Sequence, residues 1–295
     1  MLLWAACFPL IVMGLELAPH MAFAALRALL AGGVLIVLGV LTGRAWPSGA
    51  SAWLLLVLVG LGATTLGFLG MFHAAEFVAP GAATVIANTQ PLLAAALAAV
   101  VLNERIGPIG ATGLGLGFLG IIAIAGSGPA SPAGGNGQAL GVGYILLSAA
   151  GITVSNVVLK RLAGTVDPVM AVGTQMLLGA VPLAILSVAT ESPTDITWSP
   201  TFVGSLLGLA LPGTALAYWL WLTVLESSTL NRANAFSFLV PVFGVAIGVV
   251  LYGERLTLTS WVGVAVTVAG IILVNSGRTA TPPTPAHPDG PSLHE

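Results

Sequence analysis

Charge is scarce in this chain. Only 6% of its 295 residues are Asp, Glu, Lys or Arg, where a soluble domain carries about 25%. Cysteine is nearly absent: Cys7 stands alone, so no internal disulfide can form and thiols say nothing about compartment. Long polar stretches are missing too, which leaves almost no chain for a soluble domain. There are no runs of strictly alternating polarity, which argues against a porin-like barrel. There is no HExxH or comparable metal-ligand spacing, and no glycine-rich phosphate loop behind a strand. No metal, cofactor or nucleic-acid partner is therefore expected. The first apolar run lacks a basic start and carries Glu16, so it does not read as a cleavable leader.

What is present is apolar sequence. Hydrophobic residues make up 57% of the chain and the mean hydropathy is +1.04. A bilayer core about 30 Å thick needs about 20 apolar residues per helix. Turn signals divide the chain into ten such runs, at 2–18, 22–42, 52–72, 79–101, 108–126, 140–159, 169–189, 201–223, 233–252 and 258–275. With a cytoplasmic N-terminus, Arg44, Arg105, Lys160, Arg161, Arg232 and Arg278 all fall inside and Arg255 alone falls outside. That asymmetry fits the positive-inside rule, and an even helix number returns the C-terminus to the cytoplasm.

The halves repeat. Residues 76–126 align without a gap on 226–276, at an offset of 150. Glu76 falls on Glu226, Pro91 on Pro241, Glu104-Arg105 on Glu254-Arg255, and Gly120 on Gly270; upstream, Thr64 falls on Thr214. Five helices per half is an odd number, so the second half enters the membrane inverted. The expectation is an all-α integral membrane fold of ten transmembrane helices in two inverted five-helix repeats. The repeats occupy 1–126 and 140–277, with a Gly/Ser/Pro-rich connecting loop at 127–139 and a disordered cytoplasmic tail at 278–295.

Two stretches carry a family resemblance: NTQPLLAAALAAVVLNERIG at 88–107 and FLVPVFGVAIGVVLYGERLT at 238–257. The early LLWAACFPL and the AALRALLAG of the second run extend it. The chain resembles the drug/metabolite transporter superfamily, in its EamA-like branch. That resemblance implies a central cavity and the movement of small polar metabolites, often outward. Glu16 departs from the pattern, since members often carry a basic residue there.

Candidate residues follow from depth and polarity. Pro91 and Pro241 should kink the fourth and ninth helices and free the carbonyls of Ala87 and Ser237. Freed carbonyls at membrane depth need neighbours, water or substrate. Asn88, Gln90, Asn156 and Ser237 are candidate substrate contacts, with Trp219 and Phe238 as apolar walls; helix–helix glue is the alternative. Asn156 ranks above Gln175 because the resemblance turns the sixth helix toward the cavity. Glu104, Arg105, Glu254 and Arg255 read as structural turns with local charge pairing. Glu16 and Arg27 read as an ion pair, or as a gate or anionic-substrate contact. Gly113, Gly117, Gly120, Gly263 and Gly270 read as close-packing faces.

The function expected is secondary transport, with export favoured, across a bacterial inner membrane. The expected partners are a small-molecule substrate and the lipid bilayer, and the chain is expected to be a monomer or weak homodimer. A membrane scaffold or sensor that moves no solute stays open, as does an integral membrane enzyme.

Overall fold

The computed structural model describes residues 1–90, 92, 93, 96, 107–126, 135–227 and 239–277. Every regular element among them is helical. We number the main helices in chain order. They are α1 (Leu2–Leu15), α2 (His20–Leu41), α3 (Ala50–Ala74), α4 (Pro80–Ala87), α5 (Pro108–Gly126), α6 (Gly135–Lys160), α7 (Pro168–Thr190), α8 (Pro200–Val224), α9 (Leu239–Tyr252) and α10 (Leu258–Gly277). Five of them, α2, α3, α6, α7 and α8, are long and apolar enough to cross a membrane; α1, α5, α9 and α10 contain shorter apolar helices.

Local chemistry sets the helix starts. Proline opens α4, α5, α7 and α8, where a missing N–H costs nothing and the fixed φ suits the first turn. Asp167 caps α7 by accepting from the amides of Val169 and Met170 at 2.9 and 3.1 Å. Ser199 caps α8 through the Phe202 amide at 3.2 Å. Helix α6 begins at Gly135, inside the stretch read as connecting loop. The Gln138 side chain there donates to the Ile124 carbonyl at 3.0 Å, which ties α6 back to α5.

Helices pair closely because glycines face each other. A Cβ on Gly113 would stand 2.8 Å from the Gly270 carbonyl, and one on Gly120 would stand 2.6 Å from the Gly263 carbonyl. The glycine faces of α5 and α10 thus meet within the chain. Helices α2 and α7 cross at Gly32 and Gly173 in the same way. They run antiparallel, and both ends are tied. The Glu191 carboxylate accepts from the amides of Met21 and Ala22 at the start of α2. At the other end Arg44 meets Asp167 at 3.0 Å. An aromatic cluster of Phe23, Phe72 and Phe202 fills the space between α2, α3 and α8. Outward, large apolar side chains such as Leu41, Val188, Val250 and Leu258 are more than two-thirds exposed. That is the reverse of a soluble core and matches lipid contact.

Candidate functional site

Two helices are interrupted by π-helical turns. One spans Gly60–Leu66 within α3, the other Leu211–Leu216 within α8. Such turns insert an extra residue and misalign the backbone ladder, and they are frequent at functional sites. In α8 the cause is Pro212, which has no N–H and whose ring crowds the carbonyl four residues back. The Thr214 hydroxyl then donates to the Leu209 carbonyl five residues back, at 2.7 Å. In α3 the turn carries glycines instead. A Cβ on Gly60 would stand 2.6 Å from the Gln175 carbonyl of α7.

Each turn presents a buried threonine to a polar side chain of a neighbouring helix. Thr64 donates to Gln175 Oε1 at 2.8 Å, and both residues are buried. Thr214, its hydrogen already committed to Leu209, accepts from Arg27 Nε at 3.1 Å. Arg27 is the only buried charged residue among the described residues, at 4% exposure. Its Nη2 approaches Cys7 Sγ at 3.6 Å, and its guanidinium lies 4.3 Å above the Phe68 ring. Neither threonine, nor Cys7, nor Gln175 headed the candidates drawn from sequence. The available signal was the alignment of Thr64 on Thr214.

The expected pair of Glu16 and Arg27 is not formed. Glu16 sits exposed at the end of α1, while Arg27 points into the bundle toward Thr214 and Cys7. Asn88 ends α4 and spends its amide on the Thr84 carbonyl of its own helix, at 2.8 Å. The break in the fourth helix thus falls at Asn88 and Thr89. Gln90 is half-buried. Asn156 is exposed, although it continues the α6 face on which Ala149 and Thr153 are buried; that face opens toward its end. Gln175, ranked below it from sequence, is the buried one. Trp219 is half-buried against the α2–α7 cluster of Leu35, Val172 and Met176. Its neighbours Tyr218 and Trp221 instead meet Trp4 of α1, with ring centroids 5.8 and 5.6 Å away. Pro241 is buried in α9. Pro91, Glu104, Arg105, Ser237 and Phe238 lie outside the described residues.

Glu254 does more than mark a turn. Gly253, at φ +61°, reverses the chain after α9. The Glu254 carboxylate then turns to the Gly81 amide at the start of α4, at 2.9 Å, and not to Arg255, which is exposed. Burial pushes this carboxyl above its ordinary value of 4.5, and the Gly81 hydrogen bond draws it back. A second polar group lies near the starts of α2 and α4. His20 Nε2 stands 2.9 Å from Glu76, and the His20 ring stacks on His73 at 4.9 Å. No group of three or more metal-ligating side chains gathers among the described residues.

The family model described as the EamA-like transporter family matches residues 1–126 and 139–276. The chain belongs to this family. It is 31% identical over 263 residues to the WAT1-related chloroplastic protein At3g02690 of Arabidopsis thaliana. That match spans 85% of this chain but 62% of the plant protein. The uncharacterized transporter YvbV of Bacillus subtilis is 28% identical, over 95% of this chain and 90% of its own. The uncharacterized inner membrane transporter YedA of Escherichia coli is 27% identical, over 96% and 90%. A solved crystal structure shares the fold at a TM-score of 0.66, with 21% identity and 92% of each chain covered. The family, YvbV and YedA are named as transporters, and the helices of this chain suit a multi-pass membrane protein.

Proposed function

We propose that this EamA-like protein is a secondary transporter that moves a small polar metabolite, such as an amino acid, by alternating access. Two inverted five-helix halves rock about their shared interface, and export across a bacterial inner membrane is the favoured direction. Both termini lie in the cytoplasm.

The observation that carries this reading is the symmetry of the packing. Exchanging each helix for the one five places along turns the α3–α6 contact into α1–α8, α3–α7 into α2–α8, and α4–α6 into α1–α9; all of these are made. The contacts α2–α7, α4–α9 and α5–α10 are unchanged by the exchange. The π-helical turns end at Leu66 and Leu216, at the offset of 150 read in the sequence. Helices α2 and α7 begin at His20 and Pro168, so in that pair the offset is 148, and it sets Arg27 opposite Gln175. The hydrogen bonds Arg27–Thr214 and Gln175–Thr64 are thus one junction built twice. Two like halves around a common interface support alternating access.

Two experiments test the reading. Reporter fusions after Arg105 and Arg278 should read cytoplasmic, and one after Arg255 external; the same side for Arg105 and Arg255 would end the inverted-repeat account. Purified protein in liposomes should move one or more amino acids or organic acids in a counterflow screen. Failure across the screen, with correct topology, would favour a scaffold or sensor.

A further inference from the structure

We propose that Arg27 is the anion-binding point of this protein, and that its ligand is a small organic carboxylate with an apolar body. The proposal rests on the transport reading only for its physiological use.

The argument begins with what a buried guanidinium requires. Arginine carries five N–H donors and keeps its charge at any physiological pH. Taking such a charge out of water costs several kcal/mol unless it is paired and hydrogen-bonded. Here the partners are few and neutral. Nε is held by Thr214, and Nη2 has the weak acceptor Cys7 Sγ. Nη1 is buried with no partner, and none of the ion pairs among the described residues involves Arg27. The Phe68 face at 4.3 Å supplies a cation–π contact. It does not satisfy a donor. The pseudo-equivalent junction shows that the scaffold does not need the charge, because neutral Gln175 holds Thr64 with an ordinary hydrogen bond. A positive charge that the architecture does not require, buried with a donor to spare, is the arrangement expected where an anion binds in passing.

The neighbouring side chains narrow the anion. Nη1 and Nη2 form the fork that receives the two oxygens of a carboxylate. Cys7 and Trp4 lie one turn apart on α1, and Thr214 and Tyr218 one turn apart on α8. Trp4 meets Tyr218 edge-on and Trp221 at a tilt. The cation is therefore flanked by Phe68 on one side and followed by a half-buried aromatic group on the other. A highly hydrated dianion such as phosphate would find one guanidinium and aromatic walls; a monocarboxylate with an apolar body would find both of its parts matched.

The test is equilibrium binding to the purified full-length protein, using three probes of one size: benzoate, benzyl alcohol and benzylamine. Wild type should bind benzoate at least about tenfold more tightly than either of the others. Arg27→Gln should weaken benzoate about 10- to 100-fold and leave benzyl alcohol unchanged, and Arg27→Lys should restore part of the difference. Should Arg27→Gln fail to fold, competition in wild type decides: benzoate, but not benzyl alcohol, should slow alkylation of Cys7, the only cysteine in the chain. Equal binding of the three probes, or equal benzoate binding by wild type and Arg27→Gln, overturns the proposal. Charge-selective binding without flux of any carboxylate would keep this site and remove the transport reading. Carboxylate flux equal in wild type and Arg27→Gln would do the reverse.

Discussion

The two π-helical junctions differ in one respect. Both bury a threonine on an interrupted helix against a polar side chain of a helix that crosses it. At Thr64 the partner is neutral Gln175, and donor and acceptor match. At Thr214 the partner is a cation, the threonine must accept, and a guanidinium nitrogen is left over. The proposed anion site rests on that difference. What the fold needs at this position is a hydrogen bond, and either junction supplies it; what Arg27 adds is unbalanced charge.

That distinction can be broken most severely by placing a charge at the neutral junction. Gln175→Glu would bury a carboxylate with one hydroxyl donor for company and should cost about 3–5 kcal/mol, enough to abolish folded yield in detergent. Near-normal yield would mean that this interior tolerates charge readily, and Arg27 would then need no special explanation. Next comes the asymmetry between the threonines. Thr214→Val removes a charge-assisted bond and should cost about 2 kcal/mol in thermal stability, whereas Thr64→Val should cost about 1 kcal/mol. Equal losses would erase the contrast.

The Glu254–Gly81 contact is a smaller effect with a defined pH sign. Glu254→Ala removes a carboxylate from a helix start and should cost about 1 kcal/mol. Glu254→Gln keeps an acceptor for the Gly81 amide and should be tolerated. Because burial raises the Glu254 carboxyl above 4.5, its favourable contribution is full below that value and fades as pH rises through the raised pKa. Thermal midpoints measured from about pH 4 to pH 8 should therefore move in favour of the Gln variant as pH rises. A trend in the opposite direction would mean that the anion is the favoured form. Smallest of all, Asn156→Ala alters an exposed side chain and should change stability by less than about 0.5 kcal/mol.

The helical class and the apolar runs were legible because each leaves a compositional or periodic trace. The glycine faces of α5 and α10 were legible for the same reason. The site was less so. Glu16 and Arg27 read as opposite charges at comparable membrane depth, which suggested a pair; helix α1 instead ends with Glu16 exposed, while Arg27 turns inward. Asn156 and Gln175 were ranked by family analogy, and burial reverses the order. The likeness of Arg27 to Gln175 was hidden by arithmetic. The gapless offset is 150, but α2 and α7 are related by 148, so the two residues never align in the register that reveals the repeat. The π-helical turns themselves were illegible in α3, where no proline announces one.

Cys7 offers the most direct test of the whole account, since it is the sole cysteine and lies 3.6 Å from Arg27. The measurement is its rate of labelling by a membrane-impermeant thiol reagent, applied separately to right-side-out and inside-out vesicles. An alternating-access carrier with its site at Arg27 predicts labelling from both faces, slowed from both by benzoate and by neither neutral nor cationic analogue. Labelling from one face only, or labelling indifferent to benzoate, would contradict it.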